Sequence, residues 1–286
     1  MTKKFNRNGM NGTLQHKDIE LEHTGQYHLA LKLDDNGFSF ALYNPAVNGS
    51  YIYRKETFDL NLHNYLFALE NAVYSYPVLL QNFRKTQILV QPEHFTFIPL
   101  PFASSRDNEI YFRFCFPESK DEILENNLSR CGSQLLFGIA PDVSDFLRRT
   151  FDRPQILHHL TPLCEYFYRK SRLGNNAKMY AHLQKGNLDL LCFNKEGLLL
   201  ANTFRFRHIN DAAYYILNAW QQLEYDQMND ELQLSGDKNL RNEITPLMRE
   251  YITYVMPTIF PSHLFELGEE THGAPFDLVI LPLCEL

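Results

Sequence analysis

Tyr27–Asn44 (YHLALKLDDNGFSFALYN) and Ala177–Asn194 (AKMYAHLQKGNLDLLCFN) carry one pattern twice, 150 positions apart. At that offset Leu33 falls on Leu183, and Phe38, Phe40 and Leu42 fall on Leu188, Leu190 and Cys192. Each copy is an apolar run, a short polar turn and a second run in which large apolar residues recur every two positions. That is the pattern of a β-hairpin with one face in a core. Both copies continue into a third strand carrying Thr-Phe (Thr57-Phe58, Thr203-Phe204). A helix then opens at Asn (Asn61, Asn210), with Tyr four residues on (Tyr65, Tyr214). Self-similarity over this distance predicts two α/β lobes built from one βββα unit.

Working outward, the chain of 286 residues, 44% apolar and 21% charged, has the composition of a globular protein with room for two cores. A net charge of −7 argues against a duplex-binding surface, which needs clustered Lys and Arg. Lys3, Lys4, Arg7 and Lys17 precede the first acid, Asp18, and residues 1–18 read as a flexible lead-in. The five cysteines are widely spaced and odd in number, so neither a zinc site nor a disulfide framework is indicated. No apolar run approaches the roughly 20 residues of a membrane-spanning helix, and the chain reads as cytoplasmic.

The first domain is expected over residues 19–175. Its hairpin turns at Asp34-Asp35-Asn36-Gly37, and a helix over Leu62–Phe83 is interrupted by Pro77. Strands follow at Gln87–Val90 and Phe95–Pro99. An insertion around residues 100–150 has no counterpart later: Ile110–Phe116 reads as a strand, Asp121–Ser129 as a short helix, and Leu135–Phe151 as strand, cap and helix. In that strand reading, Tyr111 and Arg113 lie on the face opposite Phe112 and Phe114. Gln155–His158 is a strand and Pro162–Arg172 a helix. The second domain, 176–286, repeats the unit. Its later elements are a strand at Glu231–Leu234, a helix near Arg241–Tyr254, and a doubly buried strand at Asp277–Leu283 (DLVILPL).

A βββ meander, helix and strand in tandem resembles the actin-like ATPase fold shared by sugar kinases, heat-shock chaperones and bacterial filament or scaffold proteins. The ribbon VQPEHFTFIP (Val90–Pro99) and the segment LLFGIAPDVSDFLRRTF (Leu135–Phe151) look most like the pilus-assembly and division-scaffold branch. More narrowly, the chain resembles a bacterial family of unknown function. The resemblance implies tandem duplicated βββαβα domains, ribonuclease H-like, with an interdomain cleft for ATP and Mg²⁺.

In that superfamily each first strand ends in Asp-x-Gly, where the aspartate handles metal-bound or attacking water and the glycine admits phosphate. Here Lys32 and Asp34 stand at those two positions, and His182 and Gln184 stand there in the second half. Both acids and both glycines are missing. Asp35-Asn36-Gly37 offers an alternative Asp-x-Gly, but Lys185 and Gly186 bring no second aspartate. An adenosine-type strand-to-helix turn is matched by Ser235-Gly236-Asp237, with Ser for the first Gly; the same residues also make an ordinary turn.

Other constellations are weaker. His158 and His159 are adjacent, so a strand would point them to opposite faces. His182 has the ordinary pKa of a general base, but no Ser or Cys sits at a spacing that marks a nucleophile. Three functions stand open: a non-catalytic actin-like scaffold that binds another protein with residual nucleotide affinity, an ATPase or small-molecule kinase with an atypical cleft, and a ribonuclease H-like nuclease. Lys32 and the acidic pI count against the last. Neither a nucleic-acid partner nor a membrane span is expected.

Overall fold

The computed structural model describes residues 19, 21–60 and 63–284; the lead-in expected over residues 1–18 and the helix start expected at Asn61 lie outside them. The first lobe begins with β1 (His28–Asp34), β2 (Gly37–Tyr43), β3 (Ile52–Thr57) and α1 (Tyr65–Tyr74). Asn64 caps α1, its side chain accepting from the Phe67 amide. Pro77 then ends the helical stretch in a 3₁₀ turn, Pro77–Leu80, as a missing amide donor requires. β4 (Lys85–Val90) follows, then the insertion, β5 (Phe95–Pro99), α2 (Asn108–Cys115), β6 (Glu122–Leu128), β7 (Ser133–Ile139) and α3 (Pro141–Thr150). β8 (Gln155–His158) completes the lobe, and α4 (Leu160–Ser171) leads out of it.

The second lobe runs β9 (Lys178–Gln184), β10 (Asn187–Phe193), β11 (Leu198–Arg205), α5 (Ile209–Gln222), β12 (Glu231–Gly236), α6 (Lys238–Arg249) and β13 (Tyr254–Pro257). The two main sheets have the same order, β3-β2-β1-β4-β8 and β11-β10-β9-β12-β13. In each, the hairpin strands pair antiparallel and the last two strands run parallel to the first. The duplication therefore extends to a fifth strand.

Period-two alternation splits each hairpin into an outer and an inner face. In the second lobe Met179, Ala181, Leu183, Leu188, Leu190 and Cys192 form the outer core with Ala212, Ile216, Trp220, Ile244 and Met248 of α5 and α6. Tyr180, Leu191 and Phe193, on the inner face, join the core of the first lobe instead. Between the sheets lies α4, with eight consecutive buried residues, Leu160–Phe167. Only a helix covered on all sides buries every position through two turns.

The segment after β13 departs from expectation. The fifth strand of the second sheet is Tyr254–Pro257, placed by the sequence reading at the end of a helix and the turn beyond it. Asp277–Leu283 is not a strand: it forms α8 (Phe276–Val279), after a short α7 (Ser262–Phe265), and then a 3₁₀ turn at Leu281–Leu283. A short run that is apolar throughout has no period, so it fits a buried helix as well as a buried strand. This segment returns to the first lobe. The amides of Gly49 and Tyr51 donate to the carbonyls of Glu266 and Leu267, and Leu278, Val279, Ile280 and Leu281 enter the first core.

The insertion forms a separate antiparallel sheet, β5-β7-β6. Two expectations there are reversed. Ile110–Phe116 is largely the helix α2, and Asp121–Ser129 is the strand β6. In α2 the four-residue spacing of Asn108, Phe112 and Phe116 wins: Phe112 is fully buried, with its ring 5.1 Å from that of Phe116. Phe114, expected beside Phe112, is 89% exposed and Ile110 is 66% exposed, whereas Tyr111 and Arg113 are partly covered. Asn126 of β6 stitches this sheet to the edge of the first, accepting from the His158 amide at 2.8 Å and donating to the Ile156 carbonyl at 3.2 Å.

Candidate functional site: the interdomain cleft

Lys32 lies on the inner face of β1, opposite Ser39 of β2, and is 1% exposed. Its Nζ donates to Asp277 Oδ2 at 2.6 Å and to Gln184 Oε1 at 3.0 Å. An isolated ammonium in such surroundings is prohibitively costly, so the pair and its extra hydrogen bond are what allow Lys32 to be there. Burial alone would lower the Lys32 pKa, but Asp277 and then Asp34 hold it above its ordinary value. Burial likewise opposes ionisation of Asp277, and the Lys32 charge overcomes it, keeping that carboxyl below the usual range. One contact thus joins the first hairpin, the second hairpin and the C-terminal segment.

His182 is the equivalent of Lys32 in the second lobe, opposite Asp189. Its Nδ1 is 3.0 Å from Ser235 Oγ, and its ring is 5.7 Å from that of Phe276. Burial pushes its pKa down to about 4, so the imidazole is neutral at physiological pH. In this arrangement the imidazole is 1% exposed and has almost no contact with solvent. Asp189, the equivalent of Ser39, is fully buried, with Oδ1 3.0 Å from His159 Nε2 and accepting from Thr203 Oγ1 at 2.7 Å. Burial works against its charge, and His159 outweighs burial, so the carboxyl stays below its ordinary value.

The remaining candidates are placed differently. Asp34 is partly buried, which raises its pKa, and with Asp35 it lines a cavity of about 450 Å³ beyond the carboxyl ends of β1 and β4. Tyr65, Glu93, His94, Asp121 and Val143 are among the other residues of its wall. Asn36 accepts from the Phe58 amide. Gly37 is pressed against β3, where a Cβ would lie 2.1 Å from the Glu56 carbonyl oxygen. Lys185 and Gly186 form the tip of the second hairpin, Lys185 exposed and Gly186 at φ +81°. Gly236, at φ +89°, is held so close to β9 that a Cβ would meet Leu183 O at 2.0 Å. Asp237 caps α6, accepting from the Asn239 and Leu240 amides. Its own amide donates to Leu183 O.

The structure therefore brings Lys32, Gln184, His182 and Ser235 together, leaves Asp34, Asp35, Asn36, Lys185, Gly186 and Asp237 outside that cluster, and packs Gly37 and Gly236 against neighbouring strands. Four participants are not assigned to this site by sequence: Asp277, Asp189, Thr203 and His159, the last weighed only beside His158. Asp277 had a usable signal, being the one charge in the run Phe276–Leu283; an acid there requires a buried partner.

These residues do not fit Mg²⁺-ATP. A cation occupies the place of the first metal-handling acid, and the carboxylate beside it is already neutralised. The missing side chain at Gly236 is accounted for by the Leu183 backbone, which a Cβ would strike, without invoking a nucleoside. Among the described residues no group of three or more His, Cys, Asp or Glu is placed to hold a metal ion.

The chain is similar to a crystal structure from Bacteroides thetaiotaomicron VPI-5482, described as a protein with actin-like ATPase fold and unknown function. The two share 28% identity over 94% of this chain and 100% of that one, with a TM-score of 0.79. It is also similar in fold to a PilM–PilN type IV pilus biogenesis complex, at 13% identity and a TM-score of 0.50 over 88% of this chain and 96% of that one. No curated protein gives a significant match. The architecture is an actin-like ATPase fold with duplicated sheet domains, as the repeated hairpins predicted. A family model described as "Protein of unknown function (DUF3822)" matches residues 16–255, and the chain belongs to that family.

Proposed function

We propose that this protein is a non-hydrolysing actin-like module that serves as a scaffold for another protein. The observation that carries this reading is the buried Lys32–Asp277 pair, bridged to Gln184, in the place where the fold's enzymes keep an acid and a phosphate-admitting turn. The interaction surface we favour is the insertion, which the second lobe lacks. There Ile110 and Phe114, one helical turn apart on α2, are exposed beside Glu109 and Arg113, an apolar centre with a charged rim. The cavity beside Asp34 and Asp35 supports a second reading, an enzyme with an atypical cleft. Steady-state ATP turnover by purified protein with Mg²⁺ decides between them. We expect none above a no-protein control. Turnover abolished by Asp34→Ala or Asp35→Ala would overturn the scaffold reading.

A further inference from the structure

A two-lobed protein ordinarily closes its cleft around a ligand that touches both sides. Here the groups that touch both sides belong to the chain itself. Leaving the second lobe at β13, residues 258–284 cross to the first. Glu266 and Leu267 accept from the backbone beside β3, and Glu270 accepts from the Tyr53 amide at 2.6 Å and pairs with Arg54 at 2.9 Å. The segment then turns inward. Phe276 packs on Phe167 of the central helix, 5.7 Å between ring centroids, and at the same distance on His182 of the second lobe. One residue on, Asp277 binds Lys32 of the first lobe, which in turn reaches Gln184 of the second. Cys284 and Leu283 finish against α4, through Pro162 O and Arg169.

We propose that residues 258–284 are an intramolecular latch that holds the two lobes in a single closed arrangement, in the role a bound ligand plays elsewhere. This goes beyond the proposed lack of turnover: an inert cleft could still hinge. It is also independent of the partner's identity, since it concerns only the motion between lobes.

The test is a distance distribution between spin labels on the outer helices of the full chain. Phe67→Cys on α1 and Tyr214→Cys on α5 are suitable, both exposed, with Cys115→Ser removing the exposed native thiol. Otherwise wild-type protein should give one narrow distribution, unchanged by Mg²⁺-ATP. Asp277→Asn should broaden it towards longer distances, and Lys32→Met/Asp277→Leu, which removes both charges, should restore the narrow form. A broad distribution before any latch substitution overturns the proposal outright. So does an Asp277→Asn protein that is folded and as narrow as its parent. If Asp277→Asn does not fold, Glu270→Ala with Arg54→Ala loosens only the outer attachment; broadening is expected, and no change counts against the latch.

Discussion

Lys32 and His182 occupy one position in the two copies of the hairpin, and Ser39 and Asp189 occupy another, yet the two inner faces have become chemically opposite. The first carries a fixed cation and a hydroxyl; the second carries a neutral imidazole and a carboxylate. Each buried charge is met by a residue from outside both hairpins, Asp277 from the C-terminal segment and His159 from the entrance to α4. The outer faces, by contrast, kept the same kind of apolar pattern. A duplicated fold can hold its cores constant while its facing surfaces diverge, provided that each new buried charge finds a partner.

The sharpest way to break the comparison is to remove one cation. Lys32→Met leaves Asp277 buried and unpaired, and should cost about 3–5 kcal/mol in denaturant unfolding, with most of that recovered in Lys32→Met/Asp277→Leu. Equal losses in the single and double variants would mean that packing, not charge, is what Lys32 supplies. Next in size is a pH effect confined to the second face. The unfolded chain protonates His182 near its ordinary value of 6.5, while the folded chain resists until about 4. Stability should therefore fall as pH drops through that window, by about 3 kcal/mol. His182→Gln should flatten this part of the profile; an unchanged slope assigns it elsewhere, with His158, which burial also holds neutral, first in line. The smallest effect should come from Asp189→Asn, about 2 kcal/mol. Asparagine keeps an oxygen that can still accept from Thr203, so only part of the contact is lost. A loss as large as that of Lys32→Met would erase the distinction between the two faces.

Much of this fold could be read directly from residue patterns, and the reasons are local. The hairpins declared themselves because period-two alternation and a constant offset reinforce each other. Lys32 stood out as an anomaly because the resemblance supplied an expectation for its position. α2 and β6 were exchanged because a segment of seven residues satisfies both periods: IYFRFCF alternates, yet Phe112 and Phe116 also share a helix face. Asp277 was misplaced in a strand because its partner lies 245 positions away, a separation across which pattern carries no information.

That separation has a consequence for how the molecule is made. The first lobe receives its leucines and phenylalanines early in synthesis, but Lys32 must wait for a carboxylate that leaves the ribosome some 245 residues later. Until then the inner face of the first sheet is still open to water, and the Lys32 ammonium keeps its hydration; only the last residues of the chain both dehydrate and pair it. At about 5–20 residues per second, that wait lasts roughly 12–50 seconds. The step that joins the two lobes is therefore the last that the growing chain can take.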